Sequence, residues 1–266
     1  MLALERRNEI LEKLQIEKRV VVSELSQHYN VSEETIRRDL DKLEKAGYAT
    51  KSYGGAVIND NMSIDLPFNI RKNQNVLGKQ NISEIVASLV EDGEHIILDA
   101  SSTAVFVAKT LKEKKNRLTV VTNSVEVLLA LSDMADWELI STGGVLDEHY
   151  LTFLGSDAER ALRMHYADKV IFSCKALSLE QGFMESRDSL SGMKRAMLEC
   201  GKTKILVADS SKFDTSAFSI VSTLRDVDII VTDEEPSEEW KAYFRREGIT
   251  CLYPGKDSHD DRSTES

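Results

Sequence analysis

The sequence predicts an α/β protein in two parts, a short helical head closed by a β-hairpin and then a larger domain with a mostly parallel sheet. Three observations predict it. Within residues 4–46, apolar residues recur at helical spacing over three short runs, and a Gly-Gly pair between two extended runs follows. From about residue 76, short apolar runs alternate with amphipathic stretches, the pattern of strands covered by helices on both faces. The formal charge divides at the same place. Residues 1–58 hold ten Lys/Arg and ten Asp/Glu; the rest hold 24 against 35, which is all of the net -11. A neutral head on an acidic body suits contact with a polyanion through the head alone, because the body is repelled.

The head reads as follows. Leu4, Ile10, Leu11 and Leu14 share one face of a first helix. Ser23 is the expected N-cap of a short second helix with Leu25 and Tyr29 inside. Asn30 tolerates the left-handed backbone of a tight turn. Ser32 caps a third, longer helix, and Glu33 and Glu34 in its first turn suit the helix dipole. Ile36, Leu40 and Leu43 form its apolar side, and Gly47 stops it. "YATKS" and "AVI" around Gly54-Gly55 read as two short strands. A short helix, a three-residue turn, a longer amphipathic helix and a hairpin outline a winged helix-turn-helix over residues 1–58. Residues 59–75 are polar, contain Pro67 and show no sustained period, so they read as a linker.

Residues 76–254 read as the α/β domain. Strands are expected at "HIILDA", "LTVVTN", "WELISTGG", "DKVIFSC", "KILVAD" and "VDIIVTD", with helices between most of them. The polar end, 255–266, is expected to be disordered. No apolar run approaches the roughly 20 residues of a membrane span. The opening "MLALERRNEI" has no signal-peptide core. Cys174, Cys200 and Cys251 are odd in number and far apart, which fits free thiols in a reducing cytoplasm. Scattered histidines give a metal centre no support, and no cofactor is expected.

The third helix carries the head's chemistry. Opposite its apolar side stand Glu34, Arg38 and Asp41, flanked by Thr35, Arg37 and Lys42. Residues near the start of such a helix reach base edges in the major groove of double-stranded DNA. Arg38 is the first choice for guanine, which a guanidinium matches bidentately. Ser32, Thr35 and Arg37 suit phosphates or bases, and Lys51 with the Gly54-Gly55 backbone suits phosphate from the wing. The alternative is a solvated face in which Arg38 pairs with Glu34, and winged helices also bind proteins. Asp39 is expected to orient a neighbouring arginine.

In the second domain, four loops after expected strands share hydroxyls and glycines: "DASST", "TNS", "TGG" and "DSSK". In a parallel sheet such loops gather at one edge, where ligands bind. Helix N-termini there attract anions, phosphate above all. The candidate set is Asp99, Ser101, Ser102, Thr103, Thr122, Asn123, Ser124, Gly143, Gly144, Lys175 and Lys212. The glycines would let backbone approach the ligand, and the lysines would neutralise it. The plainer reading of Ser101 and Ser124 is as N-caps.

"VSEETIRRDLDKLEKAGYATKSYGGAV" (31–57) resembles the N-terminal signature of the DeoR family of bacterial transcriptional regulators, with "T-I-R-R-D-L" and "Y-G-G-A" specific in combination. "IILDASST", "VVTNS", "LGSDAERAL", "DKVIFSCKALSLEQGF" and "LVADSSKF" resemble the same family's effector domain, which is similar to ribose-5-phosphate isomerase. The resemblance implies a cytoplasmic repressor of a carbohydrate operon, a homodimer or homotetramer, that responds to a phosphorylated sugar and is not an enzyme. Two departures stand out. Tyr53 replaces the histidine common before the paired glycines, and "RDSLSG" (187–192) lacks several acidic residues usual there. The competing reading is a sugar-phosphate isomerase with an appended head. It needs a carboxylate for acid/base work, with Asp99 and Glu185 as candidates.

Overall fold

The computed structural model describes residues 2–59 and 66–255. They form two compact units, dividing between Gln74 and Asn75.

The head comprises α1 (Ala3–Glu17), β1 (Arg19–Val21), α2 (Val22–Tyr29), α3 (Glu33–Lys45), β2 (Ala49–Ser52), β3 (Gly55–Ile58) and α4 (Phe68–Asn73). Ile10, Leu14, Leu25, Ile36, Leu40 and Leu43 meet in its core. Leu4 departs from expectation, being 62% exposed. The buried position in that turn belongs to Arg6, four residues before Ile10.

The hairpin gains a third strand that the sequence reading did not contain. Antiparallel β1 pairs with β3, giving the order β1-β3-β2. This changes the start of α2. Val21 still pairs with Gly55, and the Val22 amide donates to Gly54 O at 2.8 Å. The strand thereby meets the donor need that a cap would serve, so α2 begins at Val22 with no side-chain cap and Ser23 lies inside it. Asn30 is left-handed and Gly47 ends α3, as expected.

Within the stretch read as linker, residues 66–73 are folded. Pro67 precedes α4, Phe68 and Ile70 are buried, and Ile70 joins the head's core. Six residues are too few to display a period, which is why the sequence concealed this helix.

The second unit runs α5 (Val76–Leu89), β4 (His95–Leu98), α6 (Ser102–Lys114), β5 (Thr119–Thr122), α7 (Val125–Leu131), β6 (Glu138–Ser141), β7 (Val145–Asp147), β8 (Thr152–Leu154), α8 (Ser156–Leu162), β9 (Ala167–Phe172), β10 (Ala176–Ser178), β11 (Gly182–Glu185), α9 (Asp188–Glu199), β12 (Gly201–Val207), β13 (Ser219–Ser222), β14 (Ile229–Val231), α10 (Glu238–Glu247) and β15 (Thr250–Leu252). Seven strands form one parallel sheet, in the order β15-β14-β12-β9-β4-β5-β6. Its central runs, such as Ile96–Leu98 and Val170–Phe172, are fully buried, as helices on both faces require. The edge strand β15, the hairpin β7–β8 and the small antiparallel sheet β10-β11-β13 are additions to the expected plan. Their strands are three or four residues long, too short for alternation to mark them in sequence. The expected disordered tail lies, from residue 256, outside the described residues. No helix among the described residues is long and apolar enough to cross a membrane.

Candidate functional site

In the head, Ser32 caps α3 by accepting from the Thr35 amide at 3.2 Å, and the two hydroxyls lie 2.9 Å apart. The cap sets the helix so that Ile36, Leu40 and Leu43 face inward. Ser32, Glu34, Arg37, Arg38 and Lys42 are left in solvent, with Thr35 half-buried. Arg38 Nε lies 3.2 Å from Glu34, and Arg37 lies 2.5 Å from Glu33. Lys51 on the wing pairs with Asp41. That hydrogen bond, and then the neighbouring ammonium charge, holds the Asp41 carboxyl below its ordinary range.

Asp39 does orient an arginine, from an unexpected place. It is buried, and its oxygens meet Arg6 Nε at 2.6 Å and Arg7 Nη1 at 3.5 Å, both on α1. This pair ties α1 to α3. The wing assignment needs one correction. Gly55 is buried in the three-stranded sheet, where an added Cβ would lie 2.0 Å from Val20 O. Of the glycine pair, only Gly54 faces solvent.

In the second unit the candidate loops all follow strands of one parallel sheet, so all lie at one edge. The chain builds β4, β5 and β6 outward in one direction, then returns to place β9, β12, β14 and β15 on the other side of β4. Strand order therefore reverses between β4 and β9, the place where such sheets open a cleft. Asp99 spans that point. Oδ1 accepts from the Ser101 amide at 3.0 Å, and Oδ2 accepts from Ser173 N at 2.9 Å, past the end of β9. Oδ2 also meets Lys194 Nζ at 2.5 Å, and the same ammonium lies 3.2 Å from Glu185. All three side chains are buried. Burial opposes the Lys194 charge, but Asp99 and then Glu185 outweigh it and hold the ammonium above its ordinary range.

Lys194 was missed by the sequence reading. A signal was present, since it lies four residues after Leu190 and three before Met197, inside the apolar stripe of α9. The Cys174 thiol beside this cluster is pushed up by burial first and by Glu185 second, while Lys194 and Lys212 act against that. Because β9 and β12 are neighbouring strands, the loop after β12 that carries Lys212 adjoins the loop after β9 that carries Lys175, and both lysines are half-exposed.

Several expected ligand groups are engaged by the protein itself. Ser101 and Ser124 are N-caps of α6 and α7, accepting from Ala104 N at 3.0 Å and Val127 N at 3.2 Å. Thr122 Oγ1 donates to Leu98 O at 2.7 Å, locking β5 to β4. Ser102 and Thr103 are buried in the first turn of α6. Gly144 has φ 111, and an added Cβ would meet Leu154 O at 2.7 Å and Ala158 Cβ at 2.8 Å. Its missing side chain therefore accommodates β8 and α8, a correction to its expected role toward a ligand. The edge is also too wide for one phosphate. The loop after β6 and the loop after β12 are four strand intervals apart, about 19 Å. Gly143 and Lys212 cannot share a phosphate.

Among the described residues of the second unit, two buried side-chain polar atoms have no hydrogen-bond partner, Asn123 Oδ1 and Arg187 Nε. Asn123 Nδ2 donates to Thr152 Oγ1 at 2.8 Å and to Phe153 O at 3.3 Å. A carbonyl takes only a donor, so the amide cannot flip, and Oδ1 is held as an unused acceptor. Arg187 stacks on Tyr150, with 4.6 Å from Cζ to the ring centroid, and pairs with Asp147 at 2.8 Å. It lies in the segment where the sequence departs from the family pattern.

These parts define a transcriptional regulator, a helix-turn-helix head that reads DNA joined to a sensor domain. The comparisons specify it. Residues 6–62 match the DeoR-like helix-turn-helix domain and residues 74–234 the DeoR C terminal sensor domain. The chain belongs to the DeoR family of transcriptional regulators. It is 40% identical to the HTH-type transcriptional regulator YulB of Bacillus subtilis (strain 168), over 88% of this chain and 90% of that one. It is 33% identical to the transcriptional repressor AccR of Agrobacterium fabrum, over 86% and 89%. With the aga operon transcriptional repressor (a putative assignment) of Escherichia coli O157:H7 it shares 31% over 95% and 94%. Among solved structures, ribose 5-phosphate isomerase A of Methanocaldococcus jannaschii aligns with a TM-score of 0.37 and 14% identity, over 51% of this chain and 53% of that one. That alignment is too loose to carry an argument.

Proposed function

We propose that the chain is a cytoplasmic repressor of a carbohydrate operon, active as a homodimer or homotetramer, whose DNA binding is set by a phosphorylated sugar at the strand edge of the sensor domain. One observation carries the effector part. The hydroxyl-bearing loop after β4 and the Cys174-Lys175 loop after β9 flank the reversal of strand order, with the loop that carries Lys212 on the next strand, β12. The α6 N-terminus opens there, in the position that suits a phosphate. The unmatched Asn123 Oδ1, one strand over, suits a sugar hydroxyl, because it needs a donor. Repression follows the names of AccR and the aga operon regulator, whereas another relative at 32% identity is an L-fucose operon activator from Haemophilus influenzae. The carbohydrate reading draws on that last name as well.

A sensing role suits the site better than catalysis. The carboxylates considered for acid/base work, Asp99 and Glu185, are both buried on Lys194. General acid/base catalysis needs such a group within reach of substrate.

The test uses the full chain and DNA fragments selected from its own genome. Binding is followed by anisotropy with a panel of pentose and hexose phosphates added. At least one compound should raise the melting temperature and shift DNA affinity by about fivefold or more. A panel that does neither would overturn the effector assignment. Turnover of any compound would reinstate the isomerase reading.

A further inference from the structure

The chain enters the sensor unit at Asn75, directly after Gln74 of the head unit. Asn75 has a left-handed backbone, φ 44, and its side chain serves two partners. Oδ1 caps α5 by accepting from Gly78 N at 3.3 Å, and Nδ2 donates to Asp233 Oδ2 at 2.7 Å. Asp233, in the loop after β14, is 8% exposed. Its other oxygen accepts from Ser210 N at 2.6 Å and, over a longer 3.4 Å, from Thr232 Oγ1. Ser210 opens the 3-10 turn Ser210–Lys212 that carries the candidate effector lysine. The first turn of α5 lies directly on the carboxylate, since a Cβ added to Gly78 would sit 2.3 Å from Asp233 Oδ2.

Neither local structure requires this bridge. Asp209 already caps the turn through Ser211, and Asn75 caps α5 with Oδ1 alone. The bridge does connect a ligand loop to the point where the chain arrives from the head. A buried carboxylate that loses one of its donors leaves a costly unmatched group. Motion of the Ser210 amide therefore has to be followed by the carboxylate, and motion of the carboxylate by Asn75.

We infer that Asp233 is a positioning residue that transmits occupancy of the Ser210–Lys212 turn to the start of α5, and so to the junction with the head. The inference rests on the effector reading above. Asp233→Asn tests it with almost no change of shape. An amide has one acceptor oxygen where a carboxylate has two, so it serves Ser210 or Asn75 but not both.

The full-length variant is assayed for DNA affinity by anisotropy, with and without inorganic phosphate and a panel of hexose 6-phosphates. The wild-type response of about fivefold or more should fall below about twofold, while affinity for DNA alone and for the effective phosphate alone stays within about threefold. A purely structural role would change the melting temperature and leave the response intact. An undiminished response in Asp233→Asn overturns the inference and leaves the effector reading standing.

A second measurement needs no ligand. Asn75→Asp keeps the cap acceptor and a residue tolerant of left-handed backbone, but loses the Nδ2 donor. Hydrogen exchange at Ser210–Lys212 should rise clearly, although those amides are far from position 75 in the chain. Unchanged exchange there overturns the inference. If wild-type DNA binding ignores every probe, the effector reading fails, and exchange alone decides whether the bridge is mechanical.

Discussion

In the head, Arg37, Arg38 and Lys51 stand in solvent, each beside a carboxylate; in the sensor domain Lys194 is buried between two. Exposed pairs such as Arg38–Glu34 hold weakly, about 0–1 kcal/mol. A phosphate or a guanine edge can replace the carboxylate at little cost. The buried cluster behaves differently, because removing one member strands the others without water. Charge in the head can change partners at little cost, and charge in the sensor cannot. Asp39 is the head's exception, a buried group that fixes the helix carrying the exposed arginines.

The sharpest way to break this contrast is Lys194→Met, which leaves Asp99 and Glu185 buried without a cation. It should cost the sensor domain about 3–5 kcal/mol, read by chemical denaturation. A loss below about 1 kcal/mol would mean that water reaches the cluster. Arg38→Ala is the counterpart in the head. It should lower discrimination between cognate and altered sites by about 1–3 kcal/mol in competition binding, while stability moves within about 0.5 kcal/mol. Unchanged discrimination would remove Arg38 from the reading surface.

Smaller effects refine the head's side of the comparison. Ser32→Ala removes the cap of α3 and should cost about 1 kcal/mol, seen as faster hydrogen exchange in the first turn. The smallest concerns Asp41. Its carboxyl is depressed in the folded state, so the pair with Lys51 contributes above the unfolded pKa and fades as pH falls through the lower folded value. NMR titration should find Asp41 below its ordinary value in the wild type and back near it in Lys51→Met.

Period and spacing made α1, α2, α3 and six of the sheet's seven strands legible, because the helices had two or more turns and most of the strands carried buried apolar runs; β15, three residues long at the sheet's edge, was not expected. The stop at Gly47, the left-handed Asn30 and the Ser32 cap were readable for the same local reason. What escaped was short or distant. Helix α4 has too few turns, and β1 hides in a valine run that leads into α2. The partners of Asp39 and Asp99 lie 33 and 95 residues away, set by tertiary packing that no local window contains. The candidate loops could be placed at one edge from sequence. Their division between caps, strand locks and other groups could not, because Ser101 as a cap and Ser101 as a ligand look identical in sequence.

Gly54 and Gly55 are the same letter twice, yet they exclude side chains on different grounds. At Gly54 the space is open and φ is 84, so the obstacle is handedness. At Gly55 the obstacle is volume, with the Val20 carbonyl where a Cβ would stand. A D-alanine placed by chemical synthesis separates the two. At position 54 its inverted configuration matches the backbone and narrows the unfolded ensemble, so the wing should tighten. No L side chain fits position 55, because the third strand, β1, already lies against it. The wing's tip is thus open to evolutionary and chemical change on its outer glycine, while the inner one is held in place by a strand from the other end of the head.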